Sequence, residues 1–503
     1  MKTIIRIPAL LLALVLIAAA MLACGTPQKP AETTDTNTES ETEKQSAGSE
    51  TQPGSETETD TETDPGAGHA EEPVSLHFDF DTFHIGTYVM GPHTKENVDD
   101  MKKAGIDYII DGGFSEELLD YIDSKGMGVF LTGAVPGWWG DGGQNAGQLQ
   151  YSQANSLENY AAAAGAVADH PAIWAIDVGD EPSALDLEYY GQICKTVFDS
   201  TGGKYFAYLN LYPGYASTTE TSKEEYSQLG VATFREYIEE FVRCVDVPYV
   251  CFDHYFYGGY TSNDPANCAQ FYCDLRDVAD ICRENGRHFM IVLQVNTNDT
   301  NLNNHMADFN LRFQAYMSMA YGADQICWAC WSPGWWYNNV LDESGQKTQQ
   351  YDILKKVNKE LHSVGKVLQN YTNTGTSLVG FKEGSRAYEH IAETTTEGRP
   401  TPMDTIVESV SSGRFSNVTC EDGFSMAVGT MVSKADNGSE ALMIADATDA
   451  YGLHNAYDVS FAVSGEGTVT AYCGNKKTVL TKSSDGLYHY SLEACQGVLI
   501  TVN

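Results

Sequence analysis

Two adjacent carboxyl groups follow an apolar segment of the chain, and their position favours acid–base chemistry. The apolar segment 173–178 is followed by Gly179, Asp180, Glu181 and Pro182. Glycine and proline interrupt a strand, so we expect the two acidic side chains to lie at its end. Two carboxyl groups in one site can supply both a general acid and a general base. Asp180 and Glu181 are therefore candidate catalytic residues.

Polar and aromatic side chains end two later apolar segments in the same way. Asp253, His254 and Tyr255 end one segment, and Gln294 and Asn296 end the next. Asp253 adds a third candidate catalytic carboxyl group. The imidazole, the phenol and the two amides are groups that orient a polar substrate by hydrogen bonds. We therefore predict that these four residues bind substrate.

Six of the seven tryptophans lie in two short segments. Trp138 and Trp139 belong to one segment, and Trp331 and Trp335 belong to the other. Packing in a hydrophobic core would spread such residues more evenly along the chain. The face of a Trp ring stacks on the CH groups of a sugar, while carboxylates and amides bind the sugar hydroxyls. The sequence predicts a carbohydrate site that includes these four tryptophans.

The middle of the chain alternates strand-like apolar segments with segments of helical periodicity. The eight strand-like segments are 83–89, 108–111, 129–132, 173–178, 205–211, 249–255, 289–295 and 325–331. Apolar strands separated by amphipathic helices are typical of a parallel sheet that is buried on both faces. Eight such units predict an α/β fold, a (β/α)8 barrel over residues 76–370. The C-terminal ends of its strands would bring the candidate site residues together.

The chain after residue 370 has a different pattern. Short alternating segments separated by turn residues predict an antiparallel β-sandwich over residues 371–503. This region contains no tryptophan. We therefore expect it to be an accessory domain that packs against the barrel.

These motifs together resemble the clan A glycoside hydrolases, barrels in which a Glu after strand 4 is the acid/base. Segment 170–182 is similar to the strand-4 segment of that clan, with Glu181 at the acid/base position and Asp180 where Asn is usual. The strand ends that contain Asp253 and Trp331 also match. The C-terminal region is similar to the terminal domain of family 42-type β-galactosidases. The resemblance implies hydrolysis of O-glycosyl bonds with Glu181 as general acid.

The chain departs from the clan at two positions. Asp111 stands near the end of strand 2, where the clan carries Arg. Gln294 stands after strand 7, where the clan has its nucleophilic Glu, and an amide can neither ionise nor form the glycosyl ester. A standard retaining mechanism with two Glu residues is therefore not expected.

Three routes remain open at this stage. An inverting enzyme would use Glu181 as acid and Asp180 or Asp253 as the base for water. A substrate-assisted enzyme would use an N-acetyl group as nucleophile, oriented by Asp180. A barrel without catalysis would be a glycan receptor at the cell surface. A structural surface protein with an unused barrel is a fourth alternative.

The N-terminus predicts export and a lipid anchor. Lys2 and Arg6 precede the apolar segment 7–22, which is short for a bilayer span and reads as a signal peptide over residues 1–23. Cys24 follows Ala23 and resembles the lipidation site of bacterial lipoproteins. Residues 24–75 would then form an acidic tether, since this composition cannot repay the entropy of ordering. We expect a protein on the extracellular face of the cell membrane, with the lipid as its membrane contact.

Charge and cysteine content exclude other classes of partner. The formal net charge of −39 opposes the phosphate neutralisation that nucleic-acid binding needs. Cys327 and Cys330 have CxxC spacing but lie in an apolar segment without a second ligand pair, so we expect buried thiols and no metal. No nucleotide-binding fingerprint follows the first strand. The sequence thus predicts a carbohydrate partner and no cofactor.

The Cys24 anchor can be tested by changing its thiol. Cys24→Ser removes the acceptor of the lipid, so we expect the protein to be released into the medium or to stay unprocessed. Membrane fractionation and immunoblotting would measure this. Unchanged membrane association of the variant would contradict the anchor.

Overall fold

The computed structural model describes most of the chain after the predicted tether. The described residues are 75–137, 155–219, 227–257, 265–297, 305–392, 402–435, 437–452 and 454–503. The predictions for the signal peptide, the Cys24 anchor, the tether, Trp138 and Trp139 lie outside them. Within these ranges, no helix has the length and apolar content that a bilayer span requires.

Eight parallel strands form the first sheet, which confirms the predicted α/β barrel. The strands are β1 (His84–Tyr88), β2 (Tyr108–Asp111), β3 (Gly128–Leu131), β4 (Ile173–Asp180), β5 (Phe206–Asn210), β6 (Tyr249–His254), β7 (His288–Gln294) and β8 (Gln325–Ala329). Their order in the sheet is β5-β4-β3-β2-β1-β8-β7-β6. Just beyond β5, Leu211 forms a parallel bridge with Phe252 of β6, which closes the sheet into a barrel.

A helix follows each strand. These helices are α1 (Lys95–Lys103), α2 (Glu116–Ser124), α3 (Leu157–Gly165), α4 (Leu187–Ser200), α5 (Phe234–Cys244), α6 (Pro265–Asn285), α7 (Asp308–Tyr321) and α8 (Gln349–Leu368). Side-chain caps start several of them: Ser115 accepts the backbone N–H of Leu118 at α2, and Thr233 forms a capping box with Glu236 at α5. Such caps satisfy N–H groups that the first turn leaves without partners.

Aromatic rings fill the N-terminal end of the barrel. Phe78 and Phe80 precede β1, and the Phe78 ring contacts Phe130 at 5.5 Å between ring centroids. The Phe80 ring contacts Phe206 at 5.0 Å and stacks on Tyr249. Rings of this size bury a large apolar area. The polar ends of the strands lie at the opposite, C-terminal end of the barrel.

Two further sheets follow the barrel, as the sequence predicts. Their strands are β9 (Tyr371–Val379), β10 (Ile406–Val407), β11 (Val410–Ser412), β12 (Phe415–Cys420), β13 (Met426–Ser433), β14 (Glu440–Asp446), β15 (Tyr457–Val463), β16 (Val469–Cys473), β17 (Lys476–Val479), β18 (Tyr488–Leu492) and β19 (Gly497–Val502), with a short helix α9 (Arg386–Ala392) after β9. The sheet orders are β10-β9-β13-β14-β19-β16-β17 and β11-β12-β15-β18. The pairing is antiparallel except between β9 and β10. Buried apolar side chains such as Val418 and Ile444 form the core of this domain.

Helix α7 joins the barrel to the β-domain. It packs against β13 and β14, and the approach is close because a Cβ built at Gly429 would lie 2.1 Å from the Ala320 carbonyl oxygen. Arg312 of α7 forms a two-point ion pair with Glu360 of α8, at 2.7 and 2.8 Å. The barrel and the β-domain belong to one compact unit.

Candidate functional site

One amide holds two of the predicted carboxyl groups together at the C-terminal end of the barrel. Asn210 Nδ2 at the end of β5 donates to Asp180 Oδ1 at 3.0 Å and to Asp253 Oδ1 at 2.9 Å. The two carboxyl oxygens therefore lie within about 6 Å of each other. Asp180 pairs in register with Asn210, so the strand alignment itself positions the donor.

The carboxyl group of Asp253 is buried. Its residue is 2 % exposed, and its Oδ2 atom is buried without a hydrogen-bond partner. Burial raises the pKa of Asp253 well above its usual range, and the nearby charges of Glu181 and Asp180 raise it further. Burial also raises the pKa of Asp180 to about 6, against the opposing effect of the Asn210 hydrogen bond. Burial and the two acidic neighbours therefore favour the protonated form of Asp253.

A fourth acid, Asp177, lies lower on β4. Its Oδ1 accepts the backbone N–H of Gly179 at 3.2 Å. Burial and the charge of Asp180 raise the pKa of Asp177 to about 8. The cluster of carboxyl groups thus extends from the rim into the barrel.

A chain of polar side chains crosses the barrel below Asn210. The hydroxyls of Tyr88 and Tyr208 are hydrogen-bonded at 2.9 Å, and Tyr208 contacts the Cys251 thiol at 3.4 Å. Cys251 in turn donates to Asn210 Oδ1 at 3.5 Å. Both ends of the Asn210 amide are therefore engaged, which fixes the orientation of the donor between the two carboxyl groups.

Glu181 occupies a strained turn after β4. Its φ angle is 50°, a left-handed conformation that is costly for a residue with a Cβ atom. Its backbone N–H donates to the Asn210 carbonyl at 2.9 Å. The Tyr237 hydroxyl donates to the Pro182 carbonyl at 2.6 Å and holds the turn from the other side. The strained backbone keeps the half-buried Glu181 at the rim beside Asp253.

His254 is oriented by a carboxylate from a helix. Its Nδ1 lies 2.8 Å from Asp274 Oδ2, and both side chains are buried. Asp274 also accepts the backbone N–H of Gly214 and the side-chain amide of Gln270, each at 3.0 Å. Asp274 of α6 thus connects the end of β6 with the loop after β5. The Tyr215 ring of that loop packs edge-on against His254.

Gln294 supports the backbone of two loops. Its Oε1 accepts the N–H of Tyr257 at 3.1 Å, and its Nε2 donates to the Asn296 carbonyl at 2.8 Å. The predicted contact of Gln294 with substrate is thus not supported by its geometry, because the side chain is fully buried and bonded to backbone. A Glu could not replace it in this role, since an ionised carboxylate has no hydrogen to donate.

The remaining rim residues lie near the loop after β8. Asn296 Nδ2 donates to the Trp335 carbonyl at 2.8 Å and to Asn339 Oδ1 at 2.9 Å. Its own Oδ1 is buried without a partner. Trp335 is half-buried and packs edge-on against Tyr88. Tyr255 is half-buried and contacts the Trp336 ring, with the ring centroids 4.7 Å apart.

The position of Trp331 contradicts its predicted role in sugar stacking. Its ring is fully buried, and its Nε1 donates to Asn97 Oδ1 at 2.9 Å. Trp328 is also fully buried and donates to Asn358. The concentration of tryptophans in this segment therefore has two causes: some rings pack between β8 and the helices, and others face the rim. Proximity to a strand end did not distinguish them.

Sequence analysis missed Asn210, Asp177, Asp274 and Trp336. Asn210 is the last residue of β5, so the rule that selected the other strand ends would have included it. Asp177 was placed inside an apolar run, and Asp274 is an ordinary polar residue of a helix by its sequence context. Trp336 was counted with the other tryptophans but not selected.

Neither the cysteines nor the acidic cluster forms a metal site in the described part of the chain. Cys327 and Cys330 are buried free thiols. No group of His, Cys, Asp and Glu side chains in the described ranges has the arrangement of a metal site.

Comparison with known proteins supports the fold. No protein-family model and no curated protein sequence matches the chain. Among solved structures, a family GH42 beta-galactosidase from G. stearothermophilus aligns with a TM-score of 0.50 and 9% identity, covering 86% of this chain and 100% of that chain. A second structure, described as a glycoside hydrolase, has a TM-score of 0.49 and 12% identity over 84% of this chain and 92% of that chain.

A third structure, an endo-beta-1,4-mannanase from Thermotoga petrophila, has a TM-score of 0.41 and 11% identity over 83% of this chain and 93% of that chain. Identities this low bear on the fold alone, which the β-galactosidase alignment supports. The chain thus has a glycoside hydrolase-like fold, a (β/α)8 barrel followed by a β-domain.

The raised pKa of Asp177 predicts a pH-dependent stability. Because its pKa of about 8 lies above the ordinary value of 3.8, its contribution is full below pH 4 and is lost as the pH rises through 8. Asp177→Asn cannot ionise, so between pH 5 and pH 8 we expect its free energy of unfolding to fall by less than that of the wild type, the difference being up to about 4 kcal/mol. Urea unfolding at pH 5 and pH 8 measures the difference. The exposed Asp123→Asn is the control, and equal pH dependence in both variants would contradict the assignment.

The role of Gln294 predicts the effect of restoring a carboxyl group. At pH 7.5 the new carboxyl group of Gln294→Glu either ionises against the Asn296 carbonyl, which then loses its donor, or keeps a proton against its ordinary pKa, and either outcome costs about 1 to 3 kcal/mol. At pH 5 a protonated carboxyl group can donate again, so part of the stability should return. Thermal unfolding at both pH values measures this, with the exposed Gln192→Glu as control. An unchanged melting temperature at pH 7.5 would refute the supporting role.

Proposed function

We propose that this protein is a glycoside hydrolase that acts on an oligo- or polysaccharide at the outer face of the bacterial membrane, anchored through a lipid on Cys24. Glu181 is the general acid, and Asp180 or Asp253 is the second carboxyl group. The observation that carries the proposal is the buried Asp253, whose Oδ2 has no partner and whose neighbours are Asp180 and Glu181.

The energetic cost of this arrangement argues for a chemical role. Within the described residues, no Lys or Arg forms an ion pair with Asp180 or Asp253. Uncompensated carboxyl groups are expensive to bury, and they keep a proton instead of ionising. Protons held in this way at neutral pH are what acid catalysis of glycoside cleavage needs.

The pKa values favour Asp180 as the second carboxyl group. With a pKa of about 6, Asp180 is largely ionised at pH 7, whereas burial and two acidic neighbours favour the protonated form of Asp253. An ionised Asp180 can activate water in an inverting reaction or orient an N-acetyl group in a substrate-assisted one. A retaining reaction through position 294 has no support, because the Gln294 amide is bonded to backbone on both sides. The anomer released, measured by NMR, distinguishes inversion from substrate assistance, which retains the configuration.

The inference of a carbohydrate partner is based on the rim residues near the carboxyl groups. Half-buried Trp335 accepts the Asn296 amide at its backbone carbonyl, and half-buried Tyr255 lies near Asp253 and Asp180. Aromatic faces next to amides and carboxyl groups match the alternating apolar and hydroxyl surfaces of a sugar ring. The acidic composition of the whole chain disfavours a polyanionic substrate.

The proposal is tested by removing the acid proton. Glu181→Gln keeps the shape of the side chain, so we expect the turnover of aryl glycosides and β-linked oligosaccharides to fall by about 10^2 to 10^4 with little change in affinity. Glu188→Gln changes an exposed residue of α4 and is the matched control. Reducing-end release and calorimetry measure the two quantities.

Two results would contradict the proposal in different ways. Full activity in Glu181→Gln would place the acid on another residue. Binding of saccharides by the wild type without any cleavage would instead support the alternative function, a glycan receptor at the cell surface.

A further inference from the structure

A cavity lies outside the carboxyl cluster. It has a volume of about 460 Å3 and is lined by the loop after β8 and the start of α8. Its lining includes Trp336, Tyr337, Asn338 and Asn339, with His305 opposite them. A volume of this size is in the range of small-molecule sites.

One pair of rings in contact lies between the cavity and the carboxyl cluster. Trp336 of its lining contacts the Tyr255 ring edge-on. Tyr255 in turn lies close to Asp253 and Asp180, whose charges help to raise the pKa of its phenol. A saccharide bound over the carboxyl groups would therefore extend toward Trp336 and the cavity behind it.

The loop that lines the cavity is held in a fixed shape. The backbones of Thr297 and Tyr337 exchange two hydrogen bonds, at 3.0 and 2.7 Å. Asn338 donates to the Thr297 hydroxyl at 2.9 Å. Trp336 and Asn338 both have positive φ angles, 61° and 58°, in a loop where glycine would be less costly. Strain of this kind persists where the surrounding structure maintains it, and it is concentrated at ligand sites.

The side chains of the cavity suit a sugar better than other small molecules. The Tyr337 ring is 45% exposed although it is large and apolar, and the half-buried Trp336 adds a second aromatic surface. Amides line the wall beside them. Two carboxyl groups, those of Asp342 and Glu343, belong to the turn at the edge of the cavity. Asp342 accepts hydrogen bonds from Ser344 and Gln346 and so stabilises the turn itself. Aromatic faces with neutral hydrogen-bonding groups are typical of pyranose binding.

We propose that this cavity is a second saccharide subsite, which binds a unit of the same chain whose glycosidic bond lies at the carboxyl cluster. The inference rests on the proposed function and extends it: the substrate is an oligosaccharide or polysaccharide of several units and not a single terminal sugar. Trp336 and Tyr337 supply the stacking surfaces, and the buried amides of Asn338 and Asn339 hold the loop that presents them.

The experiment compares a short and a long substrate. The probes are p-nitrophenyl β-glycosides of galactose, mannose and glucose, and β-1,4-galacto-, β-1,4-manno- and β-1,3-gluco-oligosaccharides of two to six units. We expect Trp336→Ala and Tyr337→Ala to lower kcat/KM for the hexasaccharide by about 10- to 100-fold and to change the value for the aryl monosaccharide by less than about twofold. Phe198→Ala, which removes an exposed ring from α4, is the control and should change neither value.

Each other outcome overturns the proposal. Equal losses on short and long substrates would place both rings at the carboxyl cluster, and no loss on either would remove them from substrate binding. Tyr337→Ala removes an exposed ring, so it keeps the test valid where Trp336→Ala alters folding.

Failure of the proposed function is recognised separately. If the wild type cleaves none of the probes, calorimetry with the hexasaccharides tests whether the cavity binds saccharide. Weaker binding by Tyr337→Ala than by the wild type would support a saccharide subsite on a receptor. Equal binding by both proteins, or no binding by either, would overturn the subsite.

Discussion

The hydrogen bonds from one Asn210 amide to Asp180 and Asp253 are the interaction on which the candidate site depends. A single Nδ2 atom reaches both carboxyl groups only because β4, β5 and β6 end at the same height. The barrel provides that alignment through the parallel register of β4 with β5 and the bridge between Leu211 and Phe252. Two buried carboxyl groups held this close, with no cation paired to either in the described chain, have raised pKa values. The acidity of the site thus follows from closing the barrel, and no single strand contains it.

Amide groups hold the rim above the carboxyl cluster. Gln294 connects the loops after β6 and β7, and Asn296 connects the loop after β7 with the loop after β8. Tyr257 extends the same connection to the β-domain, because its hydroxyl donates to the Ala450 carbonyl at 2.7 Å. An amide suits these positions because it donates and accepts at once, whereas a carboxylate only accepts. Position 294 therefore has a structural reason to be Gln.

Much of the architecture could be predicted from apolar patterning. Each of the eight predicted strands overlaps an observed strand, because strands buried on both faces leave uninterrupted apolar segments. The strand-end rule also selected Asp180 and Asp253, which do meet at one rim. It failed for Trp331, since the ring of a residue just after a strand can turn toward a helix as well as toward the rim, and here it donates to Asn97. The rule could not select Asp274, because the sequence around a polar residue in the middle of a helix does not show which side chains it will contact.

The sequence by itself determined the order of strands and helices, the end of the barrel at which the candidate site lies, and three acidic residues of that site. These properties depend on local periodicity and on chain direction, which a sequence contains. Only the tertiary structure decided how the groups act on each other: that Asn210 bridges two carboxyl groups, that Gln294 binds backbone, and that Trp331 is in the core while Trp336 is at the rim. Such outcomes depend on distances between strands far apart in the chain and on side-chain direction, and burial then raises the pKa of Asp180 to about 6 and that of Asp177 to about 8. A carboxyl group has an ordinary pKa in an extended chain, so its chemistry arises only when folding removes the water around it.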